Sequence, residues 1–198
     1  IVVPKQTAKN LSPNTLADKY FRFDPSTVEG WFFDDGEMTP GVGFIIRVPK
    51  PGSPAPDNWS GSTYSQLVAF KGIPNNGNYS FTVGENELNL IGNPYPSDIR
   101  ADGFINANTS IIYGALYFWT HNTPLDLATN ISNPGLNWAY AYSFDDYAAY
   151  NITGGVGIDP GTLTESAPSD PAHSVSGNDL GKKPTGKIAS GQGFFATT

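Results

Sequence analysis

The chain has 198 residues, which is enough to bury one sizeable core and requires no second domain. Its formal net charge is −7 with only 11 Lys and Arg, so we expect neither nucleic acid as a partner nor binding to an anionic membrane. There is no cysteine, which excludes disulfides, thiolate metal sites and a cysteine nucleophile.

The residue composition predicts strands and turns rather than helices. Charged residues make up 15% of the chain, and it contains 22 Gly and 17 Pro. An average soluble protein has roughly 25% charged residues, about 7% Gly and about 5% Pro. No apolar run approaches the roughly 18 residues of a membrane-spanning helix, so we expect no membrane insertion.

Strand patterns begin early in the chain. Residues 1–13 end in turn residues and indicate an edge strand or a linker. Residues 18–24 alternate charged and aromatic side chains, as in a half-buried strand, and two further strands are predicted over 29–33 and 42–48. Residues 49–61 contain four prolines and two glycines, which predicts a long surface loop.

The middle of the chain continues with predicted strands over residues 65–72, 79–83 and 87–91, the first two joined by a hairpin turn at 74–78. A short helix is predicted over 98–106, with Ser97 as its N-cap and with Ile99 and Phe104 on a buried face. The β-branched and aromatic run at 110–120 predicts a long central strand.

Towards the C-terminus, residues 136–144 predict a strand with one aromatic face, residues 153–185 a long irregular loop, and residues 187–197 a closing strand. We therefore predict one all-β domain over residues 1–198. Its fold class is an antiparallel β-sandwich of jelly-roll type with one short helix and long loops.

The motif Gly-Asn-Pro-Tyr-Pro-Ser at 92–97 predicts a rigid turn after a strand. Gly92 and Asn93 tolerate a left-handed backbone, and Pro94 and Pro96 restrict φ and remove amide donors. We interpret this motif as structural scaffold rather than as an active site.

Residues 38–45 and 188–195 share one sequence pattern. In each, an apolar residue is followed by two small residues, a Gly-x-Gly and then an apolar strand. The paired glycines indicate a bulge that leads into each strand. A phosphate-binding loop is excluded, because a third glycine and a following Lys-Ser/Thr are missing.

Catalytic residues are not indicated by any motif. The only histidines, His121 and His173, are not in a His-Glu-x-x-His pattern, and no Gly-x-Ser-x-Gly elbow occurs. The 18 Asp and Glu leave open a glycosidase-like acid pair, but most lie in turns such as 34–36 and 159–161. We expect a non-enzyme without cofactor; calcium in the acidic turns is the minority alternative.

The tryptophans suggest a ligand-binding surface. Trp119 and Trp138 lie in strand patterns and are predicted to be core residues. Trp59 lies in the Pro- and Gly-rich loop, and Tyr64 is near enough in sequence to share its surface. These two residues are the candidate glycan-stacking site. The alternative is that Trp59 packs against the sheet and only anchors its loop.

Four sequence blocks in this order resemble a domain of large secreted surface proteins of the Bacteroidetes. They lie at residues 92–97 (GNPYPS), 116–122 (LYFWTHN), 145–151 (DDYAAYN) and 188–195 (IASGQGFF). The resemblance implies export by type IX secretion, an extracellular or cell-surface location and an adhesin-like role. It also implies that the chain is a fragment of a longer protein, with neighbouring domains as partners.

These observations together predict an extracellular adhesion module that binds a surface glycan or a protein partner. A polysaccharide-degrading enzyme domain, or its accessory carbohydrate-binding module, is one alternative. A passive structural spacer is the other.

Overall fold

Short antiparallel strands separated by turns make up most of the fold. A computed structural model describes residues 6–11, 19–27, 30–46, 68–120, 126–130, 140–141, 143–157 and 183–198. The strands are β1 (Tyr20–Phe23), β2 (Trp31–Phe33), β3 (Phe44–Ile46), β4 (Leu88–Gly92), β5 (Ile99–Arg100), β6 (Ala115–Trp119), β7 (Asp126–Leu127), β8 (Tyr140–Ala141), β9 (Tyr147–Asn151), β10 (Gly154–Val156), β11 (Lys187–Ile188) and β12 (Gly193–Thr197). The α-helices are α1 (Ala8–Leu11) and α2 (Ala101–Ala107), and 3₁₀ turns cover Ala128–Asn130 and Phe144–Asp146.

The main sheet has five strands in the order β10-β9-β6-β12-β4, and a second sheet has the order β2-β1-β3. Strands β11 and β5 form one small ladder, and β7 and β8 form another. Every pairing between these strands is antiparallel. The predicted all-β antiparallel fold is therefore confirmed.

One face of the five-stranded sheet is covered by α2. Successive side chains of a strand point to opposite faces, so Phe194 and Ala196 of β12 share this face. They pack with side chains of β6, β9 and α2 in one buried apolar cluster, whose members are Ile91, Ala101, Ile105, Ile112, Leu116, Phe118, Tyr150, Ile188, Phe194 and Ala196. Ile99 and Phe104 pack against this cluster from its edge.

The opposite face of the sheet packs against the three-stranded sheet. The ring of Phe195 meets Phe23 of β1 edge-on at 5.2 Å and Trp31 of β2 at 6.1 Å, measured between centroids. Tyr147 of β9 lies 5.7 Å from the same ring. This aromatic contact joins the two sheets and is the interior of the predicted sandwich.

The helices differ from their prediction. Two short α-helices are present among the described residues rather than one, because residues 8–11 form a turn of helix within the segment predicted as edge strand or linker. Helix α2 begins at Ala101 rather than residue 98, since Ile99–Arg100 pairs with Lys187–Ile188. Arg100, not Ser97, occupies the N-cap position, and it makes no side-chain capping bond.

The strands also differ in several places. Residues 68–72 and 79–83 form no strand ladder with any described residue, so the predicted hairpin around 74–78 is wrong. The central strand β6 is shorter than residues 110–120, because Ile111 and Ile112 bond back to the carbonyl of Asn108 in a turn. Strand β9 was not predicted, and β10 lies within the segment predicted as loop.

The closing strand is divided into β11 and β12 by a turn at residues 189–192. The loop at 49–61, most of the aromatic strand at 136–144 and residues 158–182 of the predicted irregular loop lie outside the described residues.

Candidate functional site

Two matching turns lie beside β4 and correspond to the repeated Gly-x-Gly motif. They cover residues 39–42 and 189–192, and in each the first carbonyl accepts a hydrogen bond from the amide three residues later, at 3.1 and 3.0 Å. Gly41 and Gly191 hold the third position with φ of +92° and +70°. A positive φ at this position defines a type II turn and favours glycine. The motif therefore forms β-turns, not the predicted bulges.

Gly92 lies between these two turns, in the last position of β4. Its amide donates to the Gly41 carbonyl at 2.9 Å, and on its other side it pairs with Gly193 of β12. Neither Gly92 nor Asn93 has a positive φ, so the predicted left-handed backbone is wrong. A Cβ added at Gly92 would lie 3.4 Å from the Val42 carbonyl oxygen, an ordinary van der Waals contact, so the described backbone leaves room for a small side chain here.

The side chain of Asn93 connects this turn to the segment between β11 and β12. Only 3% of Asn93 is exposed. Its Nδ2 donates to the carbonyls of Ser97, Ile188 and Ala189 at 2.9 to 3.0 Å, and its Oδ1 accepts the amide of Tyr95 at 3.0 Å. The amide group bonds four backbone groups, of which the Ala189 carbonyl also accepts the Gln192 amide, so Asn93 is a structural residue.

The extended segment 68–83 crosses over both turns and is attached by side-chain hydrogen bonds. Asn75 Nδ2 donates to the Pro94 carbonyl at 2.8 Å, and the Tyr95 hydroxyl donates to the Gly77 carbonyl at 2.6 Å. Ser190 Oγ donates to the Tyr95 carbonyl at 2.7 Å. The segment, the 92–97 turn and the 189–192 turn are therefore held as one unit.

Two phenylalanine rings of this segment lie on the two turn glycines. A Cβ added at Gly191 would come within 2.8 Å of the Phe70 ring, and one at Gly41 within 3.3 Å of the Phe81 ring. Both rings remain open to solvent, and Phe70 is 57% exposed. The glycines thus allow an aromatic ring to rest on the backbone with one face directed outwards.

These elements enclose a groove of about 790 Å³. It is lined by parts of residues 37–46, 70–75, 92–96 and 190–193, together with Gln6 and Leu11. This volume lies within the roughly 300 to 1,000 Å³ of sites that hold small molecules. We call this surface the turn groove.

Aromatic rings and amides contribute to the lining of the turn groove, which is otherwise mostly glycine, proline and aliphatic residues. Phe70 and Tyr95 supply ring surface, and Gln6 and Asn75 supply amides. Each amide nitrogen donates one proton to a backbone carbonyl, which leaves its second proton for a ligand in the described structure. Glu37 is the only carboxylate among the described residues that line the groove.

Carboxylates elsewhere bind their own turns, as the sequence predicts. Asp34 accepts the Gly36 amide at 2.8 Å and pairs with Arg22 at 3.1 Å. Hydrogen bonds from Ser26, with a smaller contribution from Arg22, lower the pKa of Asp24. No group of three or more potential metal ligands converges within the described residues.

The tyrosines of β9 contact acidic residues. Burial, with the nearby Asp146 charge, raises the pKa of Tyr147 to about 12. The Tyr150 hydroxyl donates to Asp102 at 2.8 Å, and this bond is the main cause of the raised pKa of Tyr150. The second contact attaches α2 to the sheet, so these groups stabilise the fold.

The predicted stacking residues Trp59 and Tyr64 lie outside the described residues, as do His121, His173 and Trp138. Trp119 was predicted to be a core residue but is 38% exposed at the end of β6. The prediction did not include Phe70, Asn75 or Tyr95. One sequence feature could have indicated Tyr95. It lies between two prolines, which are unfavourable inside a sheet and place the aromatic side chain in a turn.

The longest helix in the described part of the chain is α2, with 7 residues, and none there is long and apolar enough to cross a bilayer.

Comparison with known proteins places the chain in a family. No curated protein and no solved structure is significantly similar to it. A family profile described as a domain of unknown function, DUF8693, matches residues 2–198. Because this match covers almost the whole sequence, the chain belongs to the DUF8693 family.

Proposed function

We propose that this domain is a non-catalytic binding module that holds a glycan chain in the turn groove. The observation that supports this most directly is the exposed Phe70, which lines the same groove as Tyr95 and the amides of Gln6 and Asn75, with a single described carboxylate. The fixed turns beneath these side chains set their positions before a ligand arrives, which reduces the entropy cost of binding.

A sugar ring matches this surface in shape and polarity. One face of a pyranose presents C–H groups that pack on an aromatic ring, while its hydroxyls accept and donate hydrogen bonds at the edge. Asn75 and Gln6 are suited to the hydroxyls, because an amide offers both donors and acceptors. Glu37 and Lys71 have opposite charges, so the described lining has no net charge that would select a strongly ionic ligand.

Trp59 and Tyr64 extend the proposal. Tyr64 precedes Phe70 by six positions in the sequence, and Trp59 precedes it by eleven. We propose that they add stacking surface to the same glycan site.

The cellular setting is proposed from the sequence blocks. Their resemblance to secreted Bacteroidetes surface proteins supports an adhesin-like module that is exported by type IX secretion and displayed outside the cell. Neighbouring domains of a longer protein, and glycans or proteins on other surfaces, are its proposed partners.

A glycan array with purified domain tests the proposal. For a glycan that binds, Phe70→Ala and Trp59→Ala should each weaken binding by roughly 1 to 3 kcal/mol, the magnitude of a base stacked on an aromatic residue. Phe33→Ala is the matched control, because Phe33 is similarly exposed at 49% but lies at the end of β2 and does not line the groove. An equal loss in all three variants would contradict the proposed site.

Two other outcomes decide between the alternatives. Release of reducing ends or unsaturated products from a polysaccharide panel, abolished by Glu37→Gln in a folded protein, would show an enzyme. Absence of binding to every glycan on the array would favour a spacer.

A further inference from the structure

Asn76 and Gly77 form an exposed turn at the rim of the turn groove. This is the only Asn-Gly pair in the sequence, and both residues are exposed. The Gly77 amide donates to Asn76 Oδ1 at 2.8 Å, so the backbone nitrogen lies against the side-chain carboxamide. Gly77 has φ of +84°, and a Cβ added there would meet no atom within 4 Å.

We propose that Asn76 is a site of spontaneous deamidation, independent of the glycan proposal. The Gly77 nitrogen loses its proton to hydroxide and attacks Asn76 Cγ. A new C–N bond closes a five-membered succinimide, and the Cγ–Nδ2 bond breaks to release ammonia. Water then adds to one of the two ring carbonyls, and the ring opens to aspartate or to isoaspartate.

Local features favour this position over other asparagines. Glycine has no side chain to block the attacking nitrogen, and its backbone is permissive enough to reach the cyclic geometry. Asn78 is also exposed, but it precedes Tyr79, whose side chain hinders the approach. Asn93 is buried and precedes Pro94, which has no N–H to lose.

The product changes the wall of the groove. In isoaspartate the main chain passes through the former side chain and gains one methylene between residues 76 and 77. The Gly77 carbonyl accepts the Tyr95 hydroxyl, and the neighbouring Asn75 donates to Pro94. Lengthening the backbone between these two contacts displaces at least one of them, so the 68–83 segment is held less tightly to the 92–97 turn. The new carboxylate also adds a negative charge at the rim of the groove.

Incubation of the purified protein at mildly alkaline pH, followed by peptide mapping, tests this inference. We expect a more acidic species, separable by anion exchange, in which the modification and isoaspartate map to Asn76. Asn76→Gln should remove this species, because ring closure from glutamine is slower. Asn78→Gln is the matched control and should leave it unchanged.

A second readout measures the structural consequence. Hydrogen exchange in residues 92–97 should be faster in the aged wild type than in fresh protein, and unchanged by ageing in Asn76→Gln. Modification spread evenly over other asparagines, or an Asn76 that stays intact while others react, would overturn the inference. Modification at Asn76 with unchanged exchange at 92–97 would overturn its structural consequence.

Discussion

Replacement of Asn93 tests the account of the 92–97 turn. Asn93→Ala removes a hydrogen-bond partner from four backbone groups. The Ile188 carbonyl is in fully buried surroundings, whereas the Ala189 carbonyl keeps its bond from the Gln192 amide. Leaving a buried polar group unpaired costs roughly 1 to 3 kcal/mol. Three of the four contacts are only partly buried. We therefore expect the free energy of unfolding to fall by about 3 to 5 kcal/mol rather than by the sum of four full penalties.

Asn93→Asp separates hydrogen bonding from packing. The aspartate side chain is nearly the same size but cannot donate, and it places a carboxylate against the carbonyl oxygens of Ser97, Ile188 and Ala189. We therefore expect a loss at least as large as for alanine.

Urea unfolding followed by tryptophan fluorescence measures these losses. Thermal unfolding should show a fall in Tm of roughly 6 to 20 °C, from about 2 to 4 °C per kcal/mol for a chain of this size. Asn151→Ala is the control, because Asn151 also accepts backbone and side-chain hydrogen bonds in a turn but is exposed. An Asn93→Asp variant within about 0.5 kcal/mol of wild type, the range of ordinary surface substitutions, would show that these hydrogen bonds do not stabilise the fold.

Three further predictions concern the turns, the core and pH. Gly191→Ala should cost roughly 1 to 2 kcal/mol for its left-handed backbone, plus the contact with Phe70, whereas Gly77→Ala should cost only the backbone part. Equal losses in urea unfolding would show that Phe70 does not press on the turn. Phe194→Ala, at 1% exposure, should lose roughly 3 to 5 kcal/mol, and a loss near that of Phe33→Ala would contradict the assigned core. The pKa of Tyr147 is raised from 10.0 to about 12, so the folded state holds the hydroxyl proton more tightly than the unfolded state. The contribution of Tyr147 to the free energy of unfolding should therefore be full below pH 10 and fall by roughly 2 to 3 kcal/mol up to pH 12. Tyr147→Phe should flatten this fall, and an equally steep fall in the variant would assign the effect to other groups.

Local patterns were sufficient to predict the all-β class and several strands. Residues 20–23 belong to the predicted pattern of alternating charged and aromatic side chains, and they form β1. The apolar run predicted to end the strand at 88–91 forms most of β4. The position of β6 at the sheet centre also agrees with its apolar and aromatic composition. Buried side chains of these patterns include Tyr20 of β1, Ile91 of β4, and Leu116 and Phe118 of β6.

The elements that were predicted wrongly depend on contacts with residues that are distant in the sequence. Residues 79–83 have strand-like alternation but form no ladder with described residues. The segment 68–83 that contains them is attached to the 92–97 turn by side-chain hydrogen bonds at Asn75 and Gly77. Residues 99–100 leave the predicted helix because they pair with 187–188. Strand β10 contains two glycines, which are unfavourable in strands, yet it pairs with β9.

The groove could not be predicted, because its parts come from four separated segments. Tyr95 and Asn75 become neighbours only when the 68–83 segment crosses the turn. Asn93 was interpreted through its backbone conformation, whereas its role depends on side-chain bonds to residues almost a hundred positions away. Tandem proline and glycine motifs predict a turn but not what binds to it.

Hydrogen exchange in the presence of a bound glycan shows whether the turn groove is the binding site. The strongest glycan from the array is added to the domain, and amide exchange is compared with and without it. We expect slower exchange at residues 70–75 and 92–96, which line the turn groove. Protection confined to β9 and β10, with residues 70–75 and 92–96 unchanged, would contradict it.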